Sequence, residues 1–480
     1  MILMTYLFVL CPLLFAAVAW GIKNRLRPLV LLAAALIHLL STLWVTVTPQ
    51  SPVDGGWLWL DPLGRIVLFC ISVLFTICAF YAVGYLRYYN KRSNRFLCVC
   101  MLVCLSAMTL VSMAQHLGLF WVAMETTTLT MAPLIYFNRN ARSIEATWKY
   151  IIICSVGIAL AFLGLMFLAY STHLAHKDAT LILGELIEQA GDLNKAWLHA
   201  AFVFLIVGYG TKMGLAPLHA WKPDTYGEAP GIVGALLAGG LVNCSFLALI
   251  RVYQVCLASG PEVVFFNRVL IGMGLLSMAV AGIFIARQSD FKRLLAYSSV
   301  EHVGILSIGL GLGKGATFAA LFHIINNGLT KGVLFLSAGN IHRAYSSKSV
   351  HEVRGALRRL PWSGGLFLAG FVAIAGSPPF SPFISEFGIV AGAFRQGQNL
   401  VGALFLFFLA VIFIGLARTV LPVVLGDPPE DAQPSRYQDR MLTVAPLCLV
   451  MLIILVLGIW QPPFLIRLLE DGAAMLEVGP

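Results

Sequence analysis

The chain has 480 residues, of which 59% are hydrophobic and only 11% charged, and its formal net charge is +10. That balance excludes an ordinary soluble domain and requires lipid as the solvent. Apolar stretches near the roughly 20 residues that cross about 30 Å of hydrocarbon recur without period-2 alternation, so the spans are helices and not barrel strands.

Fourteen membrane-spanning helices are predicted, at 4–20, 28–47, 66–84, 97–114, 117–137, 150–170, 198–216, 230–251, 266–286, 295–313, 316–340, 362–393, 399–424 and 441–460. The first, MILMTYLFVLCPLLFAAVAWG, carries its basic flank KNRLR after the apolar run. That order argues for a retained helix with its N-terminus outside, and against a cleaved signal peptide. With that orientation the inward loops hold 21 of the 32 Lys and Arg residues, among them Lys23, Arg25, Arg27, Lys91, Arg92, Lys222, Lys292 and Arg436. The outward side holds eight, including Lys177, Lys195 and Arg251, and three fall within spans: Lys212, Lys331 and Arg418. The bias places both termini outside, on the periplasmic face of a cell inner membrane, and accounts for the net charge without nucleic acid.

The ten cysteines form no CxxC pair and read as packing residues, and no Walker A or GxGxxG element opens a helix, so neither a metal nor a cofactor is expected. The loop from Ser171 to Trp197, with Glu185, Glu188 and Asp192 around LILGELI, reads as a short interfacial helix. No linker divides the chain, which is expected to be all-α and a single membrane domain over 1–480. Within it, 1–96 holds three N-terminal helices, 97–251 a first five-helix repeat, 266–424 an inverted second repeat, and 441–480 the last helix and a short tail. The repeats are inferred from two proline breaks five spans apart. Pro217 interrupts the seventh span, and Pro378, Pro379 and Pro382 interrupt the twelfth. Carbonyls freed by proline are tolerated at membrane depth only where protein or water satisfies them, and in transporters such breaks line the ion path. Kinks that serve packing alone are the alternative.

A charge at the bilayer centre costs about 2.5–3.5 kcal/mol on insertion scales, so each deep ionisable residue needs a partner, a hydrated cavity or a changed protonation state. Glu125 lies mid-span in WVAMETTTLTM, Lys212 beside the seventh-span break, His323 and Lys331 in ALFHIINNGLTKGV, and Glu386 after the second break in SPFISEF. The simplest reading pairs Glu125 with Lys212, so that the protonation of each depends on the other. His323 and Lys331 are eight residues apart, a little over two turns, and with Asn327 between them they form a polar stripe on one helix face. That stripe serves either proton transfer or interhelical hydrogen bonding. His219, Lys222, Asp224 and Glu228 lie at the inner mouth of the seventh span, as a solvated loop or a proton entrance. Glu301 and His302 follow a basic helix start, with which a local ion pair is the alternative, and Arg418 is expected to snorkel.

These residues also carry a resemblance. FKRLLAYSSVEHVG is similar to the DxKRLxAYSSxxHxG signature of the antiporter-like subunits of complex I, Mrp antiporters and membrane-bound hydrogenases, and KMGLAPLHAWKPDTYGEAP is similar to that family's K-x(4)-PLHxWLPDAHxxAP stretch. The resemblance covers the fourth to thirteenth spans and implies a fourteen-helix fold. It also implies proton-transfer roles for Glu125, Lys212 and Glu386, with His323 and Lys331 as a basic stripe found in some members. Where relatives often place a lysine or histidine in the eighth span this chain has Asn243, and where some have an eleventh-span histidine it has Asn327. Within the family the chain is most similar to the F subunit of hydrogenase-4-type assemblies.

The resemblance implies a proton-translocating subunit without its own redox centre, served by other membrane and peripheral subunits. Exchange of Na⁺ for H⁺ in an Mrp-like complex, and a passive membrane scaffold, are the alternatives.

Overall fold

The computed structural model describes residues 2–48, 56–88, 93–175, 179–260, 262–427 and 437–477. Lys91, Arg92, Lys177 and Arg436, counted in the loop bias, lie outside the described residues.

In chain order the helices are α1 (Ile2–Gly21), α2 (Arg27–Val47), α3 (Pro62–Tyr88), α4 (Arg95–Met113), α5 (Leu117–Ile135), α6 (Ala141–Leu174) and α7 (Leu183–Glu188). They continue as α8 (Lys195–Met213), α9 (Lys222–Glu228), α10 (Gly231–Ala235), α11 (Val242–Ala258), α12 (Val263–Ile285), α13 (Phe291–Leu312) and α14 (Thr317–Tyr345). The last six are α15 (Ala356–Arg359), α16 (Pro361–Ile374), α17 (Ser381–Arg395), α18 (Asn399–Leu425), α19 (Met441–Ile459) and α20 (Pro463–Glu477). Among the described residues eleven spans are long and apolar enough to cross a membrane, α10 and α11 counting as one. With α1, α5 and the broken pair α16–α17 they account for each of the fourteen predicted spans. LILGELI does hold a short helix, α7.

Several elements were not expected, including the short helices α9 and α15. The eighth span contains a π-helical segment at Leu236–Leu241 between α10 and α11, where Gly239 meets the backbone of Gly328 on α14. Wider turns of this kind interrupt α-helices chiefly where close packing or function requires it. The tail forms amphipathic α20, whose Leu465, Leu468, Leu469, Ala473 and Leu476 are buried.

α14 and the α10–α11 span are buried throughout, and α13 nearly so, whereas α2 and α18 are largely exposed. The two polar helices α13 and α14 are thus enclosed by protein, whereas the strongly apolar α18 presents most of its surface outward.

Both proline breaks form. α8 stops at Gly214, and the Trp221 indole donates to the freed Thr211 carbonyl at 2.9 Å. The Ala216 amide donates to Ser277 Oγ of α12 at 2.9 Å. At the second break, Asn326 Nδ2 of α14 donates to the Ser381 carbonyl at 3.0 Å. The broken backbone is therefore served by neighbouring helices, as membrane depth demands.

Candidate functional site

α5, α6 and α8 build the first cluster. Ser155 Oγ donates to Glu125 Oε1 at 2.8 Å and Thr128 Oγ1 donates to Oε2 at 3.0 Å. Lys212 Nζ donates to the same Thr128 hydroxyl and to Tyr150 OH at 3.4 Å, and stands 5.5 Å from the centre of the Tyr150 ring. The Glu125–Lys212 pair read from the sequence is thus joined through a hydroxyl. Among the described residues no carboxylate–ammonium contact joins them, and Thr128, one turn along α5, bridges the two. Lys212 is buried, while Glu125 is half-buried on the flank of the chain.

The second cluster lies among α13, α14 and α17. Lys331 Nζ donates to Ser298 Oγ at 2.7 Å, and Ser298 Oγ donates to Glu301 Oε2 at 3.4 Å. His302 Nε2 lies 3.9 Å from Glu301 Oε2. On the other side of the ring, His302 Nδ1 is 3.0 Å from His323 Nε2 and 3.8 Å from Glu386 Oε1. His323 Nδ1 is 2.9 Å from Ser385 Oγ. Lys331, Glu301, His302, His323 and Glu386 are all buried. His323 and Lys331 do share the face of α14 turned toward α13, with Asn327 buried between them and both its side-chain polar atoms without a protein partner. His302 Nε2 and Glu386 Oε1 likewise lack a hydrogen-bond partner. Donor atoms of His302, His323 and Glu386 lie within 4.8 Å of one another, a set that by donor type could hold a divalent cation.

The remaining predicted residues lie outside these two clusters. Asp224 pairs with Lys149 and Arg293, each at 2.7 Å, and Glu228 pairs with Lys348 at 2.7 Å. His219 is half-buried near the rings of Phe284 and Tyr297. Asn243 donates to Cys70 Sγ at 3.3 Å and to the Ile324 carbonyl at 3.2 Å. Glu301 makes no pair with the basic start of α13, whose Lys292 instead donates to the Gly227 and Ala229 carbonyls at 3.0 and 2.6 Å. Arg418 is exposed.

Four cations assigned to loops from the sequence are buried. Arg27 donates to the Ala19 carbonyl and to Asn94, and Lys292 clamps the loop after α9. Arg251, assigned to the outward side, makes a two-pronged pair with Asp61 at 2.5 and 2.7 Å and is fully enclosed. Lys222 is the fourth. Sequence reasoning missed the bridging hydroxyls Thr128, Ser155, Ser298 and Ser385 as well. For Thr128, Ser298 and Ser385 the signal was a hydroxyl within one turn of a deep ionisable residue, as in METTT and SSVEH; Ser155 carried none.

Residues 114–415, running from α5 into α18, match the family described as NADH:quinone oxidoreductase/Mrp antiporter, TM. The chain belongs to that family. This antiporter-like subunit is 32% identical over 376 residues, 78% of each chain, to the hydrogenase-4 component F homolog of Methylacidiphilum infernorum. Its fold is that of a chain in the membrane-bound sulfane sulfur reductase, an archaeal respiratory membrane complex, with TM-score 0.88 and 23% identity over 98% of this chain and 97% of that one. A chain of the Mrp complex from Dietzia sp. matches with TM-score 0.86 and 19% identity over 99% and 98%. The subunit is thus an antiporter-like component of complex I-related assemblies, and further subunits accompany it.

Proposed function

We propose that this subunit carries protons across the membrane as part of a redox complex of hydrogenase-4 type. The observation that carries the reading is the pair of buried polar clusters. Glu125, Thr128, Lys212 and Tyr150 lie in one half, and Lys331, Ser298, Glu301, His302, His323 and Glu386 in the other, each member within hydrogen-bonding or ion-pairing reach of another in its cluster. A scaffold has no use for so many desolvated ionisable groups, whereas a relay needs sites whose protonation states depend on one another. The kinship with the hydrogenase-4 component F homolog supports the type of assembly.

Moving one proton against 100 mV takes about 2.3 kcal/mol. In this reading the energy comes from electron transfer in partner subunits. Glu125, half-buried at mid-span, faces a neighbouring subunit in this reading, and both termini lie on the periplasmic side of an inner membrane. The test is proton uptake into vesicles containing the whole complex, driven by its own redox reaction. Lys331→Met is expected to lower uptake at least tenfold with assembly intact. Wild-type uptake would return the subunit to a scaffold role, and uptake that requires Na⁺ would favour sodium–proton exchange.

A further inference from the structure

The two helix breaks share a construction. α8 is capped by Gly214 at φ +75°, and α16 is followed two residues on by Gly376 at φ +64°. At each glycine the space a Cβ would occupy is filled by an ionisable side chain returning from the helix beyond the break, Lys222 at the first and Glu386 at the second. Glycine suits the left-handed φ, and its missing Cβ also admits the charged chain. Glu386 already belongs to the second cluster. Lys222 is its positional counterpart and has no assigned role.

Lys222 is enclosed, with no exposed surface. Its side chain runs back over the end of α8, bringing Nζ to 3.0 Å from the Cβ position of Gly214, two residues after Lys212. Nζ also lies 3.3 Å from Ser299 Oγ and 3.4 Å from the Ser299 carbonyl. Ser299 adjoins Ser298, whose hydroxyl takes the Lys331 ammonium. The Tyr226 ring centre is 5.8 Å from Nζ. Among the described ion pairs none includes Lys222. Lys222 thus has neither a carboxylate partner among the described ion pairs nor a path for its ammonium to snorkel to solvent, and its nearest hydrogen-bonding group is the hydroxyl of Ser299.

We infer that Lys222 is a proton-transfer residue joining the Lys212 cluster to the Lys331 cluster. The inference rests on the proton-carrying function proposed for the subunit. The neutral amine takes a proton arriving from the Lys212 side, and the ammonium then releases a proton toward Ser299, Ser298 and Lys331. One N–H bond forms and one breaks per passage, and no electrons move. Lys222 and Lys331 hold the hydroxyls of adjacent serines, Ser299 and Ser298, so loading one is linked to unloading the other. Lys222 thus supplies from α9 the basic group that α11 lacks, where Asn243 is turned to Cys70 and Ile324.

The test uses the complete complex in vesicles, reading proton uptake driven by its own redox reaction and assembly on native gels. Lys222→Leu, which places the leucine of the resembled motif there, is expected to lower uptake at least tenfold. Lys222→Arg keeps a long cation but gives up no proton, and is expected to lose uptake equally, whereas Lys222→His should recover a measurable part. Wild-type uptake in the leucine or arginine variant overturns the inference, and the arginine variant decides if leucine prevents assembly. Lys212→Met runs alongside. If it stops uptake while the Lys222 variants pump normally, only the link fails; if it too pumps normally, the proposed function fails.

Discussion

A hydroxyl decides how Glu125 and Lys212 communicate. Thr128 donates to the carboxylate and accepts from the ammonium, so a change of charge on either reaches the other through a group that can reverse its donor and acceptor roles. Glu125→Gln and Lys212→Met are each expected to remove most proton uptake in vesicles, with the double variant little worse, as for residues acting as a unit. Additive losses would assign them separate roles. Thr128→Val keeps the shape and deletes the bridge. A hydrogen bond to a charged group is worth about 1.5–3 kcal/mol, which sets an expected loss of about tenfold or more in uptake; wild-type uptake would show that the hydroxyl is dispensable.

Between elements, the buried Arg251–Asp61 pair ties α11 to the start of α3, where Asp61 Oδ1 also accepts from the Gly64 amide at 2.9 Å. Removing one partner strands a charge in a dry interior, which costs about 3–5 kcal/mol. Arg251→Met should therefore lower the thermal unfolding midpoint of the detergent-solubilised complex, and adding Asp61→Leu should recover most of the loss. An unchanged midpoint in the single variant would remove the pair from the stability of the fold. The helix boundaries themselves were legible because proline and glycine act locally, as at Pro217 and Pro379. The π segment at Leu236–Leu241 was not, because LLAGGL differs from an ordinary helix only in how closely Gly239 must approach Gly328 on α14.

On the scale of the molecule, the loop charges set an orientation that can be measured. Arg25 is exposed between α1 and α2, and Arg25→Cys should react with an impermeant thiol reagent only from the cytoplasmic side. Labelling from outside alone would invert the topology. By itself the amino-acid sequence determined the properties that arise from local composition. Lipid is the solvent, apolar length yields fourteen spans, proline's missing donor yields two breaks, and Glu125, Lys212, His323, Lys331 and Glu386 stand out because ionisable groups are rare in such spans. The tertiary structure decided which of these groups meet and through what. It put Thr128 between Glu125 and Lys212, joined His302 to both His323 and Glu386, and enclosed Arg27, Lys222, Arg251 and Lys292, which the sequence had assigned to loops. Hydropathy reports the preference of a segment for lipid, whereas burial and partnership depend on which neighbouring helix docks against it, and that contact arises between segments far apart in the chain.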